Sequence, residues 1–303
     1  MNPQGLMDGL IAGATIGLGA VGITLTYSIL RFSNFAHGEL ISWGAYFALA
    51  VAGLLGAAFG FLSTPIGPFS FGWALPIAAI AAIGLNAVLA LLVDALLFKR
   101  LRARNSTVII MVMASFGAAL TLRNLLEFTF TGKPQYYTNA LQIAMKLGGG
   151  IRATPDQLLS LGVAAGIVVG VHLLLTRTAM GRSMRAVSEN PQLAGLAGVN
   201  VRQVIRIVWM LGAALAAVAG VMAGLLIQIR PEMGLDLLLP LFAAAILGGI
   251  GSVPGAMTAG LIIGVSEALA VAVVGAQWRA AVSFVILVAV LLVRPQGLFG
   301  RAE

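Results

Sequence analysis

Apolar runs of about twenty residues, separated by short stretches that hold most of the charge, repeat along the whole chain. Read between charged or Pro/Gly-rich breaks, the runs predict membrane spans near Leu10–Leu30, Leu40–Phe61, Trp73–Phe98, Val108–Leu126, Leu158–Leu175 and Val204–Ile229. Three more are expected near Leu237–Ile250, Pro254–Val274 and Ala280–Val293. The seventh is short: about 14 residues at 1.5 Å each cover only about 21 Å of a ~30 Å hydrocarbon core. Because Gly248, Gly249 and Gly251 close it, a half-helix or re-entrant segment is an open alternative to a full crossing. The runs are continuous rather than alternating, which excludes a barrel. The expectation is an all-α, polytopic helical bundle of about eight to nine membrane segments forming one domain over residues 1–303.

Composition fits this. The chain is 60% hydrophobic and 9% charged, whereas soluble domains carry roughly 25% charged residues. The net charge of +8 does not point to nucleic acid, because the basic residues sit in short loops where they act as topology signals. Lys99, Arg100, Arg102 and Arg104 share one loop and Arg177, Arg182, Arg185, Arg202 and Arg206 another; both are expected on the cytoplasmic side. Alternation then places Arg31, Arg294 and Arg301 inside with the C-terminus, and Lys133, Lys146, Arg152, Arg230 and Arg279 outside with the N-terminus. If the seventh segment does not cross, the last two helices flip.

Glycines recur at four-residue spacing within the spans: Gly13 and Gly17; Gly162, Gly166 and Gly170; Gly220 and Gly224; Gly260 and Gly264. Such ridges let helix backbones approach closely in lipid, so they predict tight packing and no particular chemistry.

The long polar loop at about 177–203 holds the punctuation of a short helix. Asn190 suits the N-cap, Pro191 the first helical position and Gly198 the left-handed terminus. Leu193, Leu196 and Ala197 fall at i, i+3 and i+4, an apolar stripe that needs either a partner groove or a membrane surface.

After the first span, Asn34 is placed to cap, Gly38 to relax the backbone and Glu39 to meet the positive end of a helix. His37 belongs to the same segment. If this junction is buried, its polar groups line a path or merely satisfy a helix end. Of the other ionisable residues within spans, Asp94, one turn before Phe98 and Lys99, is expected to pair near the cytoplasmic surface, and Arg123 with Glu127 four residues on. His172 reads as a packing group. Glu267 has no sequence-local partner and is the better candidate for an intramembrane functional or subunit-contact residue. Zero cysteines and two histidines give no metal cluster, no cofactor is implied, and no P-loop is present.

Four stretches, in the right order, resemble the permease subunits of bacterial branched-chain amino acid ABC importers. They are the 176–200 loop, Asn34-Phe35-Ala36-His37-Gly38-Glu39, Leu247-Gly248-Gly249-Ile250-Gly251-Ser252, and Arg294-Pro295-Gln296-Gly297-Leu298-Phe299-Gly300. The resemblance runs from about Leu6 to Gly300. It implies a non-catalytic transport subunit of the bacterial cytoplasmic (inner) membrane, embedded in lipid. It implies as partners a second related permease, two ATP-binding subunits that hydrolyse ATP, and a periplasmic solute-binding protein delivering leucine, isoleucine or valine. It assigns ATPase coupling to Arg182, Arg185, Ala186, Glu189, Asn190, Ala194 and Gly198. Candidate pathway or helix-break residues are Asn34, His37, Gly38, Glu39, Gly249, Gly251 and Glu267. The same machine carrying urea, short amides or another small polar solute is a related alternative. An ion-coupled secondary transporter would use Glu267 and the Gly248–Gly255 break instead. An intramembrane enzyme would need a Ser/His, paired-Asp or metal constellation, and none is evident.

Overall fold

A computed structural model describes residues 3–138, 140, 142–148, 150–294 and 296–299. Pro295, Gly300 and Arg301, named above, lie outside the described residues.

The elements follow the apolar runs. Helices α1 (Pro3–Leu30) and α2 (Ala36–Ala58) are followed by α3 (Ala74–Val93), which continues through a π turn at Asp94–Phe98 into α4 (Lys99–Ala103). Then come α5 (Val108–Phe130), a hairpin of β1 (Met145–Gly148) and β2 (Ile151–Ala153), and α6 (Pro155–Arg177). The 177–203 region forms α7 (Ala179–Glu189) and α8 (Pro191–Leu196) before α9 (Val201–Leu226), α10 (Met233–Gly248), α11 (Val253–Val274) and α12 (Arg279–Val293). Among the described residues, eight helices are long and apolar enough to span a membrane, and α10 is a shorter apolar helix. The molecule is a multi-pass helical membrane bundle.

Three boundaries differ from the sequence reading. The third span runs on through α4, so Lys99, Arg100 and Arg102 are helical rather than in a loop. A π turn absorbs the extra residue that lets the helix continue. The polar loop holds two helices instead of one, because Thr178 caps α7 through Gly181 N (3.1 Å). The β1–β2 hairpin was not expected; its strands are too short to show a period.

Helix α1 is the axis of the bundle, buried along most of its length. It packs antiparallel on α11 through paired glycine ridges. A Cβ on Gly13 would lie 2.7 Å from Leu261 Cα, and one on Gly264 would lie 2.3 Å from Gly13 N. Gly260 meets Gly17 in the same way, at 2.3 Å from its Cα. By contrast, Gly162, Gly166 and Gly170 face open space, so the α6 ridge makes no close approach within the subunit.

Two ends can be distinguished. At the end bearing α7 and α8, Arg31 bonds to the α7 terminus, and Gly251 N donates to Thr24 Oγ1 (3.3 Å). Leu298 N donates there to Leu247 O (2.7 Å) and Phe299 N to Gly248 O (3.3 Å). At the opposite end, Gln4 holds Arg152, Gln135 pairs with Ile229, and Arg123 holds Glu232. The chain from Ile229 through the short helix α10 to Gly251 therefore leads from one end to the other, and residues 296–299 lie at the α7–α8 end.

Candidate functional site

Two helices begin inside the bundle. After α1 the chain turns back at Arg31, in left-handed backbone (φ 54°), and climbs to the start of α2. There His37 packs against Gly22 and the backbone of Gly19, eight residues or about 12 Å from the end of α1. Phe35 N donates to Ser115 Oγ (3.1 Å), which fixes the same depth on α5. The start of α10 meets this point: Ser42 Oγ donates to Pro231 O (3.2 Å) and accepts from Gly234 N (2.9 Å). A Cβ on Gly234 would lie 2.0 Å from Gly38 O, so glycine is required for the contact. Helix starts at membrane depth are tolerated where protein encloses them or a cavity is lined.

All the polar groups of the junction are buried: Asn34 at 3%, His37 at 0% and Glu39 at 2% exposure. Asn34 Oδ1 accepts from Ala36 N (3.2 Å), the expected cap. Glu39 sits in the first turn of α2, and its Oε2 has no hydrogen-bond partner among the described residues. Neither ring nitrogen of His37 makes a well-formed hydrogen bond there. A buried carboxylate without a partner is costly by several kcal/mol, about 2.5–3.5 on insertion scales. It faces a small cleft shared with Phe35, Phe116, Leu120, Arg123 and Leu238.

Arg123 carries the expected pair with Glu127 (3.2 Å) and also holds Glu232 of the α9–α10 connection (2.9 Å). Arg230 holds Asp236 nearby in sequence (3.2 Å). Tyr137 braces the same end by donating to Ala45 O (2.8 Å), and burial pushes its hydroxyl well above the ordinary value, so it stays a neutral donor.

The loop helices are a second candidate surface. Asn190 Oδ1 accepts from Gln192 N and Leu193 N (both 3.0 Å), Pro191 opens α8, and Gly198 is left-handed at φ 86°. Ala194 is buried with Met184, Val187, Val204 and Val208 against Ile29 in the last turn of α1. Leu193 and Leu196 point away, at 63% and 86% exposure. Arg182, Arg185 and Glu189 are exposed on α7, with Ala186 half-buried, and Arg185 donates to Leu175 O. The coupling candidates thus gather on one compact α7–α8 unit.

The remaining candidates separate from both. Glu267 is buried but fully engaged: Arg279 Nε donates to it at 2.8 Å and Ser283 also donates. Its partners lie 12 and 16 residues on, across the α11–α12 turn, so none is local in sequence and both come from the next helix. Gly249 and Gly251, left-handed at φ 90° and 89°, make the α10–α11 turn, and Gly297 stacks against it. They are helix-break residues at the α7–α8 end. Asp94 pairs with Arg102 (2.6 Å), which the continuous helix carries round to it. His172 is exposed. Among the described residues no three His, Cys, Asp or Glu side chains gather as a metal site requires.

Sequence reasoning missed three residues. Asn86 Nδ2 ties α3 to Leu40 O (3.0 Å) and Ala213 O (2.8 Å); an asparagine alone in an apolar span was the available signal. Trp43 Nε1 donates to Leu122 O (3.0 Å), joining α2 to α5. Arg31 was read only as a topology charge. A larger cavity of about 480 Å³ opens at the opposite end, with Asp8 and Arg279 among its lining, on the far side of α10 from the Glu39 cleft.

Residues 5–291 match the family model for the permease component of the branched-chain amino acid transport system. The high-affinity branched-chain amino acid transport system permease protein BraD of Pseudomonas aeruginosa is 34% identical over 305 residues, covering 99% of this chain and 96% of that protein. LivH of Escherichia coli, with the same description, is 31% identical over 315 residues, covering 99% and 96%. A probable branched-chain amino acid transport permease protein LivH of Methanocaldococcus jannaschii is 32% identical over 291 residues, covering 93% and 87%. With a family match over almost its whole length and relatives above 30% identity across it, the chain belongs to the family of branched-chain amino acid transport system permease components.

Proposed function

We propose that this chain is the membrane-spanning permease subunit of an ABC importer that passes branched-chain amino acids across the cytoplasmic membrane, with ATP hydrolysed by separate subunits. The observation that carries the reading is the α7–α8 unit. Its outer face offers unpartnered Leu193 and Leu196, and its inner face is packed on the end of α1. A short capped helix with an exposed apolar stripe fits a groove on a partner. The names of the full-length relatives support the substrate class.

In this reading the α7–α8 end faces the cytoplasm, in keeping with its arginines. Arg182, Arg185, Ala186, Glu189, Asn190, Ala194 and Gly198 form or support the ATPase contact, and Asn34, His37, Gly38 and Glu39 belong to the path. ATP-driven closure of two ATPase subunits pushes on α8; α7 and Arg31 carry the movement to residues 31–35 and the buried start of α2. The junction then exchanges access between the two sides. A second related permease and a periplasmic binding protein complete the machine.

The test is purification of the tagged protein in mild detergent from its native membrane, with mass spectrometry of what accompanies it. Two ATP-binding subunits and a second permease are expected. Recovery alone, under conditions that preserve other transporter complexes, would overturn the reading in favour of secondary transport.

A further inference from the structure

The cleft at the start of α2 has a composition that the packing of the subunit leaves unexplained. Its walls are apolar on three elements, Phe35 before α2, Phe116 and Leu120 on α5, and Leu238 on α10. Into it are set one anionic residue, Glu39, and one cationic residue, Arg123. Arg123 is held by Glu127 and Glu232, whereas Glu39 is 2% exposed with Oε2 unpartnered among the described residues. Its cationic neighbour Arg123 is already paired with two other carboxylates, so a buried carboxyl oxygen is left with capacity for a further donor.

The surrounding face does not suit lipid. Arg123, Asn124, Glu127, Glu232 and Asp236 lie on or beside it, and lipid-facing positions exclude such residues. Helix α5 packs mainly on α2, leaving Phe116 and Leu120 half-exposed at 50% and 46%. The cleft itself offers about 20 Å³, room for one water, which needs ~10–15 Å³ by this measure, and none for an amino acid. The conformation described is therefore closed on Glu39, and a solute reaches it only when α5 and α10 separate.

Resting on the importer reading, we propose that this cleft is the transient substrate site of the pathway. Glu39 receives the ammonium group of an apolar α-amino acid, Arg123 attracts its carboxylate, and Phe35, Phe116, Leu120 and Leu238 take the side chain. The ligand class is a zwitterion with an aliphatic tail. The same solute without its amine, a 2-hydroxy acid of equal shape, would be refused.

The chain has no cysteine, which makes the site directly accessible to labelling. In the whole complex reconstituted into proteoliposomes, Leu120→Cys and Leu235→Cys are expected to react with a charged, water-soluble thiol reagent, with leucine slowing the reaction. Glu39→Gln is expected to lower leucine uptake at least about tenfold, the loss of one charged contact, while the complex assembles and hydrolyses ATP. Uptake by Glu39→Gln within twofold of wild type would overturn the proposal. So would absence of labelling at both cysteines with and without ATP, or labelling indifferent to leucine. Should Glu39→Gln fail to assemble, the cysteine result decides alone. Wild-type uptake separates the two levels: no branched-chain amino acid carried by the intact complex sinks the importer reading, whereas normal wild-type uptake with unaffected variants sinks this site only.

Discussion

Arg31 donates through Nη2 to the carbonyls of both Ser188 (2.7 Å) and Glu189 (2.9 Å). These are terminal carbonyls of α7, which have no partner within the helix, and a guanidinium there is favoured by the helix dipole as well. Arg31 also sits in left-handed backbone between α1 and the buried start of α2. One side chain thus ties the surface unit to the interior junction. Replacing it by Gln should cut uptake per ATP hydrolysed by about tenfold, since two charge-assisted bonds are lost, while membrane insertion is unchanged. Parallel assays of uptake and ATPase activity in proteoliposomes check this; preserved coupling would remove Arg31 from the route.

The glycine ridges predict a contrast. A side chain at Gly264 or Gly260 would run into the backbone of Gly13 or Gly17, and neither backbone has room to withdraw from a buried helix. Gly264→Val should cost more than the ~1–3 kcal/mol typical of overpacking and lower the melting temperature in detergent sharply. Gly162→Ala, which meets nothing within 4 Å, should change it by no more than an ordinary surface substitution, about 0.5 kcal/mol. Equal effects at the two sites would contradict the α1–α11 packing.

This contrast also marks where sequence reading stops. Spacing identifies a ridge but not its neighbour, so Gly13 and Gly260 looked no different from Gly162, although only the former touch another backbone. Local signals survived intact: the Asn190 cap, Pro191 at the helix start, the left-handed Gly198 and the Arg123–Glu127 pair all depend on residues within one turn. The partners of Glu267 are out of reach of local spacing because they lie beyond a helix boundary, and those of Asn86 because they are main-chain carbonyls of two other helices. The depth of the Asn34–Glu39 junction was invisible for a similar reason, since only contacts with Gly19, Ser115 and Gly234 reveal that α2 starts inside the bundle.

Glu267 and Arg279 predict stability without transport. The carboxylate is buried while its arginine is 46% exposed, so solvent screening reduces the 3–5 kcal/mol seen for removing one member of a fully buried pair. Arg279→Ala should cost about 1–3 kcal/mol, read as a lower melting temperature of the purified protein. Glu267→Leu with Arg279→Leu should recover most of it, because no charge is then left alone. Uptake by the folded double variant should match wild type; its loss would return Glu267 to the functional group.

The α8 surface predicts transport without stability. Leu193 and Leu196 contribute nothing to the core at 63% and 86% exposure, so Leu196→Asp should leave insertion and melting temperature within the ~0.5 kcal/mol scale of surface changes. If the stripe seats in an ATPase groove, a charge there is buried without a partner, and uptake should fall below about one-tenth by weakening the contact by more than 1.4 kcal/mol. Gly198→Trp acts on the same contact by another route: the site is open, but its φ of 86° disfavours a side chain, so the α8 terminus shifts by the ~1–2 kcal/mol of a left-handed residue. Co-purification of the ATPase subunits with each variant separates the two. Leu196→Asp should release them, whereas Gly198→Trp should retain them in part yet leave uptake uncoupled from hydrolysis. Full uptake in both would mean that α8 lies on the headgroups and the ATPase docks elsewhere.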